Sequence, residues 1–432
     1  MQTYEDTLKY LESLVNYEKT GPEEFKGKSF DLDKLRQALE VLGDPQLDYR
    51  SIHIAGTKGK GSISAFTSSV LSASGYCVGL FTSPHLTYPE ERVSVNGRNI
   101  STEELAGIVE YIRECLPGSG KDLTFFEMYT LIAMVYFSEK KADYAVFETG
   151  MGGRFDATNV LDEKVCGISP ISYDHMQVLG NKLEQIAAEK AAIIKEGNCC
   201  VCAPQNETVL DVVRSRCSEK GVSLSLVGED ITYRVKSVDT GGSTFDLRSE
   251  THEYNGCQTG LLGEFQVANC AVAVGICEKL LDDKVNVDDF KKGIKEAFIP
   301  GRMEVLSREP MVMIDGAQNG ASARQLKESV EQIFRYDKLI LLLGLSRDKD
   351  IKSVCDELVP LADEVVLTRA GVDRALNPEL IRGYIKGREV KLTRDVTEAL
   401  GTAFHLAGKN DLILATGSFF VIGEVRDLVI KK

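Results

Sequence analysis

Ser51-Ile-His-Ile-Ala-Gly56-Thr57-Lys58-Gly59-Lys60-Gly61-Ser62 passes from an apolar, Ile-containing stretch into three glycines and two lysines. The pattern predicts a strand, a glycine-rich turn and a helix running from Ser62 to about Ser74. Such a unit presents backbone N–H groups and a helix N-terminus to phosphate oxygens, and Lys60 adds a mobile positive charge. Glycines let a ligand come close to the backbone with no Cβ in the way. Spacing separates this run from the common G-x-x-x-x-G-K-[ST] loop. Gly56 precedes Gly59 by three residues rather than five, and Gly61 stands where Ser or Thr normally follows the lysine. A generic GTPase loop is therefore disfavoured.

Working outward, strand-like apolar runs alternate with helix-like amphipathic runs, which predicts an α/β fold with largely parallel sheets. Strands are expected at 76–83, 143–150, 164–171 and 199–204, and helices at 101–115, 125–142 and 182–197. The 101–115 segment opens on Ser101-Thr-Glu-Glu104, a helix-start signal. The N-terminal 1–18 reads as an amphipathic helix with Tyr4, Leu8, Leu11 and Leu14 on one face. Alternation from about Leu224 to Thr259, with Gly241-Gly242, suggests a small antiparallel accessory sheet. A second α/β set follows Pro300-Gly301, with strands at 311–316, 338–345, 364–369, 390–394 and 411–417. Two domains are expected: 1–299, an N-terminal nucleotide-binding parallel sheet with the accessory sheet, and 300–432, a Rossmann-like domain.

At 432 residues the chain exceeds one hydrophobic core, and 43% hydrophobic with 27% charged residues is ordinary for a globular enzyme. A net charge of -14 argues against electrostatic binding to nucleic acid or an anionic membrane. The start lacks the basic, then apolar, pattern of a signal peptide, and no apolar run approaches the ~20 residues of a spanning helix. Eleven cysteines, an odd number scattered through apolar segments, suggest reduced thiols in a cytoplasm. Cys199, Cys200 and Cys202 lack a second Cys/His pair and read as a buried strand rather than a zinc site.

Several further runs follow the glycine loop in order: Phe81-Thr82-Ser83-Pro84-His85-Leu86 with Glu91-Arg92; Glu148-Thr-Gly-Met-Gly-Gly-Arg154-Phe-Asp156-Ala-Thr-Asn159; Ile171-Ser-Tyr-Asp174-His175 with Leu179-Gly180; Glu189-Lys190-Ala-Ala-Ile-Ile-Lys195; Gly263-Glu264-Phe265-Gln266 with Asn269; Pro300-Gly301-Arg302; Asp315-Gly316-Ala317; and Gly417-Ser418-Phe-Phe-Val-Ile-Gly423-Glu424-Val-Arg426. Together with G-T-x-G-K-G-S, this series resembles the folylpolyglutamate/dihydrofolate synthase branch of the Mur ligase superfamily along nearly the whole chain. The resemblance implies an ATP-dependent ligase joining L-glutamate to a folate or dihydropteroate acceptor through an acyl phosphate, acting as a monomer.

By that resemblance Thr57, Lys58, Gly59, Lys60, Gly61, Ser62, Asn269, Arg302 and Asp315 contact ATP, and Thr82, Pro84, His85, Arg154 and Asp156 contact the acceptor. Two Mg²⁺ ions are implied, with Ser83, Glu148, His175 and Lys190 as ligands and Lys190 as a carbamate; Lys60, His175 and Lys190 are the catalytic set. Mg²⁺ prefers oxygen donors, and Ser83 and Glu148 each follow a predicted strand, where open α/β sheets bind ligands. Composition alone leaves Lys190 and Lys195 on a solvated helix face, and a lone His after a strand is as readily structural. Glu189 cannot substitute for Lys190, because adjacent helix residues face about 100° apart. Of the other histidines, His53 is expected to be packed, His252 to lie in the accessory sheet and His405 in an amphipathic helix. Asp315-Gly316-Ala317-Gln318-Asn319 departs from the branch's Asp-Gly-Ala-His-Asn, and Gln318 cannot titrate near neutral pH.

Two other readings compete. A cell-wall peptide ligase of the same superfamily carries an extra N-terminal domain, whereas here the loop begins by Gly56. A P-loop ATPase that ligates nothing would need nucleotide alone, so glutamate-dependent phosphate release discriminates.

Overall fold

The computed structural model of the chain describes residues 3–17, 32–347 and 349–431. Its largest sheet has eight strands: β1 (Arg50–Ala55), β2 (Val78–Phe81), β3 (Val93–Val95), β4 (Arg98–Asn99), β5 (Tyr144–Glu148), β6 (Val165–Ile168), β7 (Cys199–Cys202) and β8 (Ser223–Leu226). Their order is β4-β3-β2-β5-β1-β6-β7-β8, with β2 to β8 of the central run parallel and β3 and β4 antiparallel at one edge. After Ile231 the chain forms a three-stranded antiparallel sheet, β9 (Thr232–Asp239), β10 (Gly242–Arg248) and β11 (Glu253–Thr259). Beyond Pro300-Gly301 a six-stranded sheet follows: β12 (Glu304–Arg308), β13 (Met311–Asp315), β14 (Leu339–Leu343), β15 (Glu364–Leu367), β16 (Lys391–Leu392) and β17 (Leu412–Thr416). Its order is β12-β13-β17-β14-β15-β16, parallel except for β12.

The central strands are apolar because both faces are covered. On one face of the large sheet, Ile52, Ile54 and Val146 pack against Ile63, Phe66 and Val70 of helix Lys60–Ala73, and against helices Phe265–Leu281 and Val287–Glu296. Helix Phe265–Leu281 is apolar almost all round, as expected of a helix buried on several sides. On the other face, Phe81, Ala145 and Phe147 meet Phe125–Glu139, with helices Tyr4–Ser13 and Asp33–Val41 behind it. Thr124 caps Phe125–Glu139 reciprocally: its Oγ1 accepts from Glu127 N, and its own N–H donates to Glu127 Oε2.

Several expectations need correction. The helix after the glycine loop begins at Lys60, not Ser62, because Gly59 at φ +85° already turns the chain. Helix Leu183–Lys190 gives way to a 3₁₀ turn at Ala191–Ile193, well before 197. Ser223–Leu226 belongs to the large parallel sheet rather than the accessory sheet, since it pairs with β7. Leu8 is half-buried while Thr7 and Tyr10 turn inward. Strands β3, β4 and β12 were not anticipated; β4 is two residues long, and the burial of β12 shows no clean alternation. The expected core strand at Cys199–Cys202 is present, and all eleven cysteines are free thiols. His53 lies inside β1, wholly buried. Among the described residues no helix is long and apolar enough to cross a membrane.

Candidate active site

The segments that follow β1, β2, β5 and β6 all leave the large sheet at the C-terminal ends of its parallel strands. The same edge of the six-stranded sheet, after β13 and β17, faces them. Between the two lies a cleft of about 1350 Å³, lined from the first side by Thr57 to Ser62, Ser83, Glu148, Asp156, His175 and Asn269. From the second side come Arg302, Asp315, Gln318 and Phe419. Topology alone puts a ligand here, because strand ends at a crossover point leave a crevice that no helix fills.

The glycine loop is held from beneath. Thr57 and Lys58 both donate backbone N–H groups to Pro170 O, at 3.0 and 3.2 Å, and Thr57 Oγ1 donates to Ser172 O at 3.1 Å. Gly59 admits no side chain: a Cβ there would lie 2.5 Å from Asn269 Oδ1. Asn269 is itself fixed, its Nδ2 donating to Gln266 Oε1 at 2.9 Å. Gly59 offers the following helix no capping side chain, so the N–H groups of the first turn remain available to an anion.

Glu148 closes β5 and is 5% exposed. Burial pushes its carboxyl above the usual range, countered by Lys60, Arg302 and the Ser83 N–H. Lys60 Nζ stands 3.9 Å from Glu148 Oε1, and Ser83 N donates to Oε2 at 3.3 Å. Lys190 lies behind the loop rather than on the cleft lining, 3% exposed, with Nζ donating to Gly56 O at 2.9 Å. Burial, and then the neighbouring Lys60, bring its amine down to about 7. His175 holds a left-handed backbone at φ 46°, beside Asp174, and burial lowers its imidazole despite that carboxylate. Lys58 is likewise lowered by burial, with Asp174 opposing.

Across the cleft, the Arg302 guanidinium sits 4.6 Å over the Phe419 ring. Asp315 accepts from Met303 N at 3.0 Å and Ala317 N at 2.8 Å, and burial raises its carboxyl against the pull of Arg302. Of the 82–86 loop, Pro84 and His85 line the cleft. His85 Nδ1 accepts from Arg92 Nε at 2.8 Å, and the Arg92 side chain is fully buried, its guanidinium against the Phe125 and Tyr129 rings at 5.1 and 5.3 Å.

Besides Lys190, two expected acceptor contacts are not brought to the cleft. Thr82 is absent from its lining, because its N–H is committed to Arg92 O in the loop that returns to β3. Arg154, 46% exposed, turns away and pairs with Glu189 Oε1 at 2.8 Å. Glu189 and Lys190 do face different ways, as their helical spacing requires. Sequence reasoning missed much of the second wall, where Ser346, Lys349 and Arg374 come from loops without a motif. It also missed the Gly56 carbonyl as the partner of Lys190, since a backbone acceptor leaves no trace in residue type. Among the described residues no three His, Cys, Asp or Glu side chains converge to hold a metal ion.

A glycine loop on a parallel sheet, facing a second α/β sheet across one cleft, is the arrangement of a Mur ligase. Residues 54–277 match the Mur ligase middle domain and residues 301–419 the Mur ligase glutamate ligase domain. The chain is 32% identical over 406 residues to the dihydrofolate synthase/folylpolyglutamate synthase of Bacillus subtilis, covering 91% of this chain and 94% of that one. It superposes on Mycobacterium tuberculosis folylpolyglutamate synthase complexed with ADP at a TM-score of 0.91 and 28% identity, covering 99% and 98% of the two chains. E. coli FolC in complex with DHPP and ADP gives 0.87 and 27%, covering 99% and 97%. This chain belongs to the folylpolyglutamate synthase/dihydrofolate synthase family of Mur ligases.

Proposed function

We propose that this protein uses ATP to join the amine of L-glutamate to a carboxylate of a folate-type acceptor, releasing ADP and phosphate. The observation that carries this reading is the single cleft in which the glycine loop, Lys60 and Glu148 face Arg302 and Asp315 of the second sheet. A carboxylate does not condense with an amine at neutral pH without a better leaving group. Attack of the acceptor carboxylate oxygen on the γ-phosphorus expels ADP and leaves an acyl phosphate; the glutamate nitrogen then attacks the acyl carbon, loses a proton and expels phosphate. The protein's task is to position the reactants and neutralise charge, and to keep water from the intermediate. The open N–H groups after Gly59 and the Lys60 ammonium receive the phosphates, while Arg302, Asp315 and Asn269 complete the nucleotide site. Residues 1–299 and 300–432 act as two domains that close around it.

The donor set fits Mg²⁺. Glu148 and Ser83 supply oxygens, and with so few protein ligands the remaining positions fall to phosphates and water, as this ion prefers. Bound there it would neutralise phosphate charge. A second ion fits His175 and Lys190 only once the lysine has become a carbamate, by adding CO₂ with loss of a proton. An amine near pKa 7 is substantially neutral at physiological pH, which that addition requires. Pro84, His85 and Asp156 face the acceptor. The double name of the Bacillus subtilis relative supports use of both dihydropteroate and reduced folate. The unpaired thiols support a reducing, cytoplasmic setting.

Phosphate release from ATP, measured with and without glutamate and with dihydropteroate, a reduced folate or no acceptor, tests the proposal. Release that requires glutamate and a pterin acceptor is expected. Release indifferent to both would leave a P-loop ATPase instead.

A further inference from the structure

Beneath the acceptor side of the cleft runs a buried chain of polar groups for which the reaction as described has no use. His53, in the middle of β1, is 0% exposed, and its Nε2 lies 2.7 Å from Thr158 Oγ1. Thr158, also 0% exposed, places the same Oγ1 2.5 Å from Asp156 Oδ1 and donates its backbone N–H to that oxygen at 3.1 Å. The other carboxylate oxygen, Oδ2, accepts from Met151 N at 2.8 Å. Asp156 itself lines the cleft.

The direction of every bond in this chain follows by elimination. An ionised carboxylate only accepts, so the single Thr158 hydroxyl proton points to Asp156. The Thr158 oxygen then accepts from His53, which fixes the neutral imidazole with its proton on Nε2. His53 Nδ1 is left a bare lone pair, and it is buried with no hydrogen-bond partner. A protonated His53 would bury a second N–H in that place, and both burial and nearby Lys195 disfavour the cation. All the dipoles therefore point one way, from β1 towards the Asp156 carboxylate. A carboxylate has about four acceptor positions. Three are taken, and the one left is on Oδ2 of a side chain that lines the cleft.

We propose that His53 and Thr158 are positioning residues, which hold the Asp156 carboxylate so that Oδ2 takes an N–H donor of the acceptor's flat heterocycle. The inference rests on the reading of Asp156 as an acceptor contact. It reaches to the strand that carries the nucleotide loop, so one element, β1, sets both the phosphate site and the acceptor site. A merely structural role for the same groups would show in stability and in every substrate alike, whereas the proposed role is specific to the acceptor.

The experiment measures initial rates of phosphate release with ATP, glutamate and varied dihydropteroate or reduced folate, alongside thermal unfolding. Thr158→Val is nearly isosteric and removes only the hydroxyl. It should raise the acceptor KM roughly ten- to hundredfold, the usual worth of a hydrogen bond to a charged group, with the ATP KM unchanged. Thr158→Ser keeps the hydroxyl and should restore the wild-type KM. His53→Gln can retain a donor near Nε2 and should act more mildly than His53→Leu. Asp156→Asn tests the underlying reading: an unchanged acceptor KM there overturns the acceptor contact and the relay with it. A raised acceptor KM in Asp156→Asn with none in Thr158→Val overturns the relay alone. Equal changes in all KM values and in melting temperature for both Thr158 variants would also overturn it, in favour of packing.

Discussion

Replacing Gly423 by Ala pits two opposed local effects against each other at the contact between the 82–86 loop and the last helix. Gly423 lies inside helix Phe419–Ile430, where intrinsic propensity favours Ala by about 0.8–1.0 kcal/mol. A Cβ at this position would stand only 2.2 Å from Leu86 O, a backbone atom that cannot swing aside. Leu86 is 7% exposed and packs in the core of the six-stranded sheet with Val312, Ile314 and Ile422, although it belongs to the loop after β2. Real Cβ contacts essentially never fall below 3.0 Å, so loop or helix must withdraw by about 0.8 Å. Ser83, Pro84 and His85 precede Leu86 directly, and the Ser83–Glu148 bond is already long at 3.3 Å. A displacement near 1 Å at reacting groups costs on the order of 10²-fold in rate. Glutamate-dependent phosphate release by Gly423→Ala should therefore fall about 100-fold in kcat/KM, while stability moves by no more than about 1 kcal/mol, because propensity offsets part of the lost packing. Gly107→Ala is the control: it sits in helix Thr102–Cys115 with nothing within 4 Å of a would-be Cβ, and should gain about 1 kcal/mol at full activity. Wild-type kcat/KM in Gly423→Ala, with the same gain in stability as the control, would refute the coupling of loop to helix.

Lys190→Met should alter how stability depends on pH. The amine titrates near 7 in the folded chain against 10.5 when free, so between those values the unfolded chain holds more protons and the Lys190 contribution rises with pH. In carbonate-free buffer the wild type should gain up to about 1.4 kcal/mol per pH unit on the variant between pH 8 and 9, and parallel stability curves would rule this out. Glu148→Gln should lower ligation at least roughly 100-fold through loss of the anionic oxygen proposed to hold Mg²⁺ beside the phosphates. Because burial raises the Glu148 carboxyl, its ionised form costs stability as pH rises through the folded value, so the variant should melt no lower than wild type at pH 8; a lower melting point contradicts that sign. Arg302→Lys, which loses the planar stack on Phe419, should raise the ATP KM about tenfold with the acceptor KM held; equal KM values would remove Arg302 from the nucleotide site.

What could be read before the structure was what repeats a local physical signal. β1, the glycine loop and its helix were legible because apolar periodicity, three glycines and Lys60 occupy one short stretch and need nothing distant. The parallel cores β5, β6, β14 and β17 were equally plain, being continuous apolar runs covered on both faces. Short edge elements such as β4 and β12 were not, because a strand that pairs on one side only is fixed by its neighbour rather than by its own composition. The same division runs through the site. Lys60, Glu148, Arg302 and Asp315 stood out as charges at strand ends, and the cleft gathers them. Thr82 and Arg154 looked equivalent in the same runs, yet the turn of the chain commits the Thr82 backbone N–H to Arg92 O and pairs the Arg154 side chain with Glu189.

His53 shows the limit most plainly. It was expected to be packed, and it is, but inside β1 and with a hydrogen-bond partner 105 positions away. A buried imidazole costs free energy unless its donor is used, and sequence says nothing of which distant hydroxyl will use it. Thr158 supplies that acceptor only because the Asp156 turn is drawn beneath the sheet, where Lys195 Nζ holds it through the carbonyls of Asn159 and Leu161 and the buried Glu163 carboxylate. The second lysine of the Glu189–Lys195 run thus fixes the turn from outside, while the first supports the glycine loop from behind. Their five-residue separation lets the first reach Gly56, past the C-terminal end of β1, and the second reach Leu161 and Glu163, before the start of β6.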